Sequence, residues 1–452
     1  MRAVRILLIL LVALGAGASA SEAGAQAITA ADLLEHLRHL QDVGEANGNR
    51  GEGFGGDVVT EDYIVERLRA AGWNVTATRV EFPWPGQHAF PIVGRLDQRD
   101  LMTLAYSGAG AFVARVQPLR SGCRRRDFRG FPRRRIALTL GGDCPFRTRA
   151  LNAQRAGARA ILINSGDDGI PPYGTLRGPG VTIPALLVRD PVARRFARRR
   201  PRIRMMVDAF IETPGAGQII VAELPGTEGG RVVMAGGHLD SVPLGPGVND
   251  NASGIAALLE IAERAAAAPR PRQTLRLGFW PAEELNLYGS QAYVASLSPE
   301  ERRRFVGYVN LDMIGSPNGV PEVYGGDARI EQALRRLLPG AGRVSVEAGS
   351  DHLPFLAAGI PVGGLYTGGP ELKTRAQARR GEDGRGTRAI PATTASATTS
   401  TTSTPTWRRG WRTWRWARWR SWRARPRRAA RAGDRTGRPA ASPGSRPGPR
   451  RG

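Results

Sequence analysis

The chain has 452 residues, enough for two or three domains of ordinary size, and a formal net charge of +25 from 65 Lys and Arg against 40 Asp and Glu. That charge suggests a nucleic-acid binder, but its distribution argues against one: residues 381–452 hold 18 arginines and 3 acids, a net +15, which leaves +10 for the first 380. Nothing before residue 380 reads as a nucleic-acid fold, and the two cysteines, Cys123 and Cys144, are too few and too far from any histidine to make a metal site.

The chain opens with Arg2 and Arg5, an apolar run from Ile6 to Leu14, and Ala18-Ser19-Ala20. This is the pattern of a secretory signal over residues 1–27, with cleavage between Ser21 and Ile28. The run is too short to span a bilayer comfortably, so no stable membrane anchor is expected and the mature protein is placed outside the cytoplasm, secreted or periplasmic. In that compartment a Cys123–Cys144 disulfide is the natural expectation, with two buried free thiols as the alternative.

Residues 28–90 begin the main domain. Ala31–Val43 and Asp57–Ala71 read as amphipathic helices, the first with Leu33, Leu34, Leu37 and Leu40 at helical spacing, and Trp73–Phe82 reads as a strand. Over residues 91–212 the texture changes to short β-like runs punctuated by glycine and proline, including Arg135–Leu140, Asn152–Ala158 and Ile161–Asn164.

Residues 213–380 then alternate buried strands (Val232–Gly236, Leu275–Trp280, Phe305–Leu311, Val362–Tyr366) with a helix marked by Ile255, Leu258, Leu259 and Ala262. Such alternation predicts an α/β fold with a mainly parallel mixed sheet covered by helices on both faces, and a small β-rich α/β insert. Ligands of such sheets gather at the carboxyl ends of the strands, where His238, Glu283, Glu284 and Asp312 stand. One imidazole and several carboxylates are the donors that zinc prefers, at about 2.0–2.2 Å. Two metals about 3.5–4 Å apart can clamp both oxygens of a hydrolytic transition state.

The motifs Gly237-His238-Leu239-Asp240-Ser241, Asn249-Asp250-Asn251-Ala252-Ser253-Gly254, Ala282-Glu283-Glu284, Asn310-Leu311-Asp312-Met313, Ser350-Asp351-His352 and Leu365-Tyr366-Thr367-Gly368 resemble those of the secreted family-28 zinc aminopeptidases. Inside the insert, the order of strand, Cys144, helix, Ala156-Gly157-Ala158 and apolar strand resembles the protease-associated domain. The first resemblance implies two zinc ions. His238 and Asp312 would bind one, Glu284 the other, and Asp250 would bridge both. Glu283 would be the general base, and Asp240 would steady the His238 ring. His352 reads as wall or structure, and the Asp250-Asn251 peptide bond is expected to be cis. The implied reaction is removal of residues from peptides with a free amino end. A catalytically inactive peptide binder and related carboxypeptidase or glutaminyl cyclase chemistry stay open as alternatives.

The end of the chain departs from that pattern. The family's last ligand is a histidine in a Cys-Tyr-His segment, whereas the five histidines here are at 36, 39, 88, 238 and 352. Past Arg380 come Thr/Ser alternation and a Trp/Arg run from Trp407 to Trp422, so residues 381–452 read as an aberrant, disordered basic tail. Codons for Ile390-Pro391-Ala392-Thr393-Thr394, read one base earlier, can encode Asp-Pro-Cys-Tyr-His, so a frameshift accounts for the change. The expectation is an impaired enzyme with one strong and one weak zinc site. The rival is a tail whose interleaved Arg and Trp bind single-stranded nucleic acid or anionic lipid.

Overall fold

The computed structural model describes residues 28–166, 172–228, 230–369 and 374, all within one compact unit, Met1–Thr402. The expected signal segment, the tail and the second unit, Ser403–Gly452, lie outside the described residues.

Two sheets organise the unit. The larger has eight strands in the order Asn74–Gln87, Ala209–Leu224, Thr274–Trp280, Val232–His238, Phe305–Leu311, Val362–Tyr366, Glu322–Gly325, Gly342–Ser345. Its four central strands, from Thr274–Trp280 to Val362–Tyr366, run parallel. The first two strands and Glu322–Gly325 pair antiparallel with their neighbours towards the centre, which makes the sheet mixed.

The central strands are mostly apolar because both faces are covered, with Arg276 and Asn310 among the exceptions. Side chains alternate across a strand. Val233 and Ala235 join a core with Leu40, Ile64, Leu68, Ile255, Leu258 and Leu334 from the helices Ala30–Asn47, Gly56–Ala70, Ser253–Ala267 and Ala328–Leu337. Val232 and Met234 point the other way, to Trp280, Tyr293, Tyr308 and Phe355. Thr29 caps the first helix, accepting the Asp32 N–H at 3.3 Å while Asp32 Oδ2 accepts that of Thr29 at 2.8 Å.

The second sheet has seven strands between Ile92 and Val207, and is the β-rich insert. Its helices Phe146–Arg155 and Asp190–Arg199 cover opposite faces, and Cys123 and Cys144 are joined as a disulfide. The insert hangs from the antiparallel ribbon of Asn74–Gln87 and Ala209–Leu224, where Gln87 faces Ala209. Both ribbon strands run further than the sequence pattern suggests, and Ala209–Leu224 passes through residue 212 unbroken. No helix among the described residues is long and apolar enough to cross a membrane.

Candidate metal centre

The parallel strands deliver the site residues at one edge. His238 ends its strand, Asp312 follows the neighbouring strand Phe305–Leu311, and Glu283 and Glu284 open a short helix after Thr274–Trp280. Asp250 arrives on the turn before Ser253–Ala267, and its peptide bond to Asn251 is cis, as expected. The buried Asn251 amide stitches the edge together. Its Nδ2 donates to Leu311 O at 2.8 Å, and its Oδ1 accepts from Gly254 N at 3.1 Å and Met313 N at 3.3 Å. Strands approach so closely here that a Cβ on Gly237 would lie 2.5 Å from Leu311 O, so only glycine fits.

The result is convergence. His238 Nε2 lies 3.1 Å from Asp250 Oδ1 and 3.4 Å from Asp312 Oδ1. Donor atoms of His238, Asp250 and Asp312 form one group within 4.8 Å, and those of His238, Glu283 and Glu284 form another. Asp240 backs them. His238 Nδ1 lies 3.2 Å from its main-chain oxygen and 3.5 Å from its Oδ1, while its two carboxylate oxygens accept the Glu283 and Glu284 N–H groups at 3.1 and 3.2 Å. All six residues singled out in the sequence therefore meet. His352 stands apart from the donor groups, its Nε2 2.7 Å from Val346 O and its ring 4.5 Å from that of Tyr324.

So many buried acids repel one another. Burial raises the proton affinity of Glu284 well above the usual carboxylate range, and the charges of Asp250 and Glu283 add to it. Burial does the same at Glu283, with Asp351 and Asp312 adding repulsion against the pull of His238. Asp250 is likewise raised by burial. Burial alone would depress His238, but the charge of Glu283 and hydrogen bonds to Asp240, Asp250 and Asp312 outweigh it and hold the imidazole well above its ordinary value. Asp312 goes the other way: burial would raise it, but the hydrogen bond and charge of His238 outweigh that and lower it.

Two side chains absent from the sequence reading hold the cage from behind. Arg50 is fully buried and donates to Leu239 O at 2.6 Å, Pro246 O at 2.8 Å and Gly247 O at 2.9 Å, gathering the loop between His238 and Asp250. Burial pulls its guanidinium down to about 10, opposed by Asp240, Asp250 and Glu284, so it stays charged at neutral pH. Glu52 Oε1 accepts the N–H of Ala282, which has a left-handed φ of 56°. Neither lies in a motif beside the ligands, and only the folded chain reveals them.

A third group, His36, Glu260 and Glu263, has donors equally close. Its acids already face Arg67 and Arg264, and His36 Nδ1 is 2.6 Å from Tyr63 Oη, so it is an ion-pair network.

Fold and residue set together define an α/β exopeptidase architecture with an inserted second domain. The chain belongs to peptidase family M28: residues 220–399 match Peptidase family M28 and residues 109–195 match the PA domain. It is 32% identical over 396 residues to an aminopeptidase of Pseudomonas aeruginosa, covering 78% of this chain and 74% of that one. It is 33% identical over 377 residues to a probable lipoprotein aminopeptidase of Mycobacterium tuberculosis, covering 76% and 75%. Among solved structures, the aminopeptidase from Aneurinibacillus sp. strain AM-1 matches with TM-score 0.65 and 26% identity over 75% of this chain and 85% of that one. A zinc aminopeptidase from Bacillus subtilis matches in fold, with TM-score 0.62 and 24% identity over 76% and 87%. The chain is thus a hydrolase acting on peptide bonds, with peptides as its substrates.

Proposed function

We propose that this peptidase removes residues from the amino end of peptides, using zinc held by His238, Asp250, Glu284 and Asp312, and that it works outside the cytoplasm. The observation that carries the reading is the pair of separations at His238 Nε2, 3.1 Å to Asp250 and 3.4 Å to Asp312. Donors at about 2.0–2.2 Å from a tetrahedral ion lie about 3.3–3.6 Å from one another, so the set is near the size of its metal. Glu284 Oε1 supports the same reading: it is buried, with no hydrogen-bond partner among the described residues.

His238 and Asp312 would hold one ion and Glu284 the other, with Asp250, which has two carboxylate oxygens, serving both. Zinc bound there supplies Lewis-acid polarisation of the scissile carbonyl and a water acidified towards neutrality. Glu283 would act as the base that takes a proton from the attacking water and returns it to the departing amine. Asp240 holds the His238 ring and the backbone of both glutamates in place. No histidine follows His352 in this sequence, so among the described residues the second ion would have Asp250 and Glu284 against three side chains for the first, and would be the weaker. Arg2, Arg5, the Ile6–Leu14 run and Ala18-Ser19-Ala20 support export, which amino-terminal sequencing of the mature protein tests.

The decisive assay follows hydrolysis of leucine p-nitroanilide by the zinc-loaded full chain. Turnover abolished by a chelator, and cut about 10²–10⁴-fold by Glu283→Gln with zinc retained, is the expected result. Equal cleavage of an amino-blocked peptide would sink the exopeptidase reading. Peptide binding without turnover would leave a binding protein on the same scaffold.

A further inference from the structure

The insert reaches the site itself. Its segment 172–180 comes down on the Glu283–Asn286 helix, where Thr175 Oγ1 donates to Leu285 O at 2.9 Å. The segment is held from its own side by main-chain bonds, Ala105 N to Gly174 O at 2.9 Å and Leu176 N to Ala105 O at 3.0 Å. Leu104, Ala105, Tyr106 and Leu176 of the insert share one apolar core with Ala282 and Leu285, which flank the two glutamates. Insert and site helix are therefore packed as one body, down to the residues on either side of the acids.

Tyr173, two residues before Thr175, packs half-buried against that same core, to which Ala282 and Leu285 on either side of the glutamates belong. Burial first, and then the charge of Glu284 and Asp240, hold its phenol protonated. Its O–H is thus a donor at neutral pH. Asp240, Asp250, Glu283, Glu284 and Asp312 present only acceptors when ionised, whereas a peptide brings carbonyl oxygens that need donors.

We propose that Tyr173, carried by the insert, is a substrate-binding residue whose O–H closes the Glu284 side of the site and donates a hydrogen bond to the bound peptide. This rests on the aminopeptidase reading above. Thr175 acts through the loop and is a positioning residue.

The test uses the zinc-loaded full chain with Glu283→Gln, so that the peptide survives, and the fluorescence anisotropy of a labelled Leu-Ala-Ala-Lys peptide with a free or an acetylated amino end. Tyr173→Phe should weaken binding of the free peptide about fivefold to tenfold, the loss of one hydrogen bond, with zinc content and thermal midpoint unchanged. Thr175→Val should weaken it less. Tyr173→Phe binding within twofold of its parent, while the parent still prefers the free amine, overturns the role of Tyr173 alone. A parent that binds both peptides equally, or neither, overturns the aminopeptidase reading and this proposal with it.

Discussion

The Asp240 carboxylate grips the main chain of Glu283. Oδ1 accepts the Glu283 N–H at 3.1 Å, Oδ2 accepts that of Glu284 at 3.2 Å, and the same Oδ1 stands 3.5 Å from His238 Nδ1. One buried acid thus ties the imidazole on one strand to both glutamates after the next. Asp240→Asn keeps the shape but turns one oxygen into a donor facing an N–H group. Zinc affinity should fall about 10–100-fold, measured by competition with a chelating dye. An unchanged affinity would show that Asp240 does not organise the cage.

Arg50 is a fully buried guanidinium whose charge reaches Asp240, Asp250 and Glu284 together. Arg50→Met leaves three carbonyls without their donor and the acids without that charge. The expected loss is about 3–5 kcal/mol in urea unfolding of the metal-free chain. Arg50→Lys should recover part of it, since an ammonium lacks the planar fork that reaches all three carbonyls. A metal-free midpoint equal to the parent's would contradict this account.

Metal content is a third check. The proposed first ion has three side chains (His238, Asp250, Asp312) and the second has two. After zinc loading and dialysis, elemental analysis should find close to one ion per chain, with a second taken up only from excess zinc. Two ions surviving dialysis would remove the grounds for an impaired second site.

Glu61 predicts a pH dependence separate from the metal. It is buried beneath the long ribbon, and its oxygens accept Gln218 N at 2.6 Å and Gln218 Nε2 at 2.8 Å. Burial, only partly offset by those bonds, lifts its carboxyl from 4.5 to about 7. The folded chain then keeps a proton that the unfolded chain releases above about 4.5, so stability falls as pH rises through that window and levels off above about 7. Glu61→Gln should flatten that slope, worth up to about 3 kcal/mol, in denaturant midpoints taken from pH 4.5 to 8. A slope unaltered by the substitution would assign it to other groups.

Much of this was legible in the chain because it is written locally. Phe305–Leu311 and Val362–Tyr366 are bounded as the apolar pattern predicts, since strands covered on both faces carry continuous hydrophobic runs. The strand Val232–His238 runs two residues past the predicted Gly236, because Gly237 and His238 continue the ladder against Phe279 and Trp280. The strands Glu322–Gly325 and Gly342–Ser345 escaped because they are four residues each, too short for a period to emerge. The strand Ala209–Leu224 is interrupted in sequence by Pro214, Gly215 and Gly217, and only its partner Asn74–Gln87 makes it continuous. The proposed ligand positions His238, Glu284 and Asp312 showed because they stand at or just past strand ends. Arg50, Glu52 and Tyr173 did not, because their significance depends on contacts between segments far apart in sequence.

The ribbon that carries the insert has a consequence for how such a chain could arise. Gln87 and Ala209 sit opposite each other, so the 121 intervening residues leave and re-enter the main sheet at adjacent points. A tight hairpin could close the same gap without disturbing the pairing below it. The second domain is thus a graft at a hairpin tip, where added length is cheap because the loop ends are already neighbours. From that tip it overhangs the exit of the strand Thr274–Trp280, where Thr175 meets the Glu283–Asn286 helix.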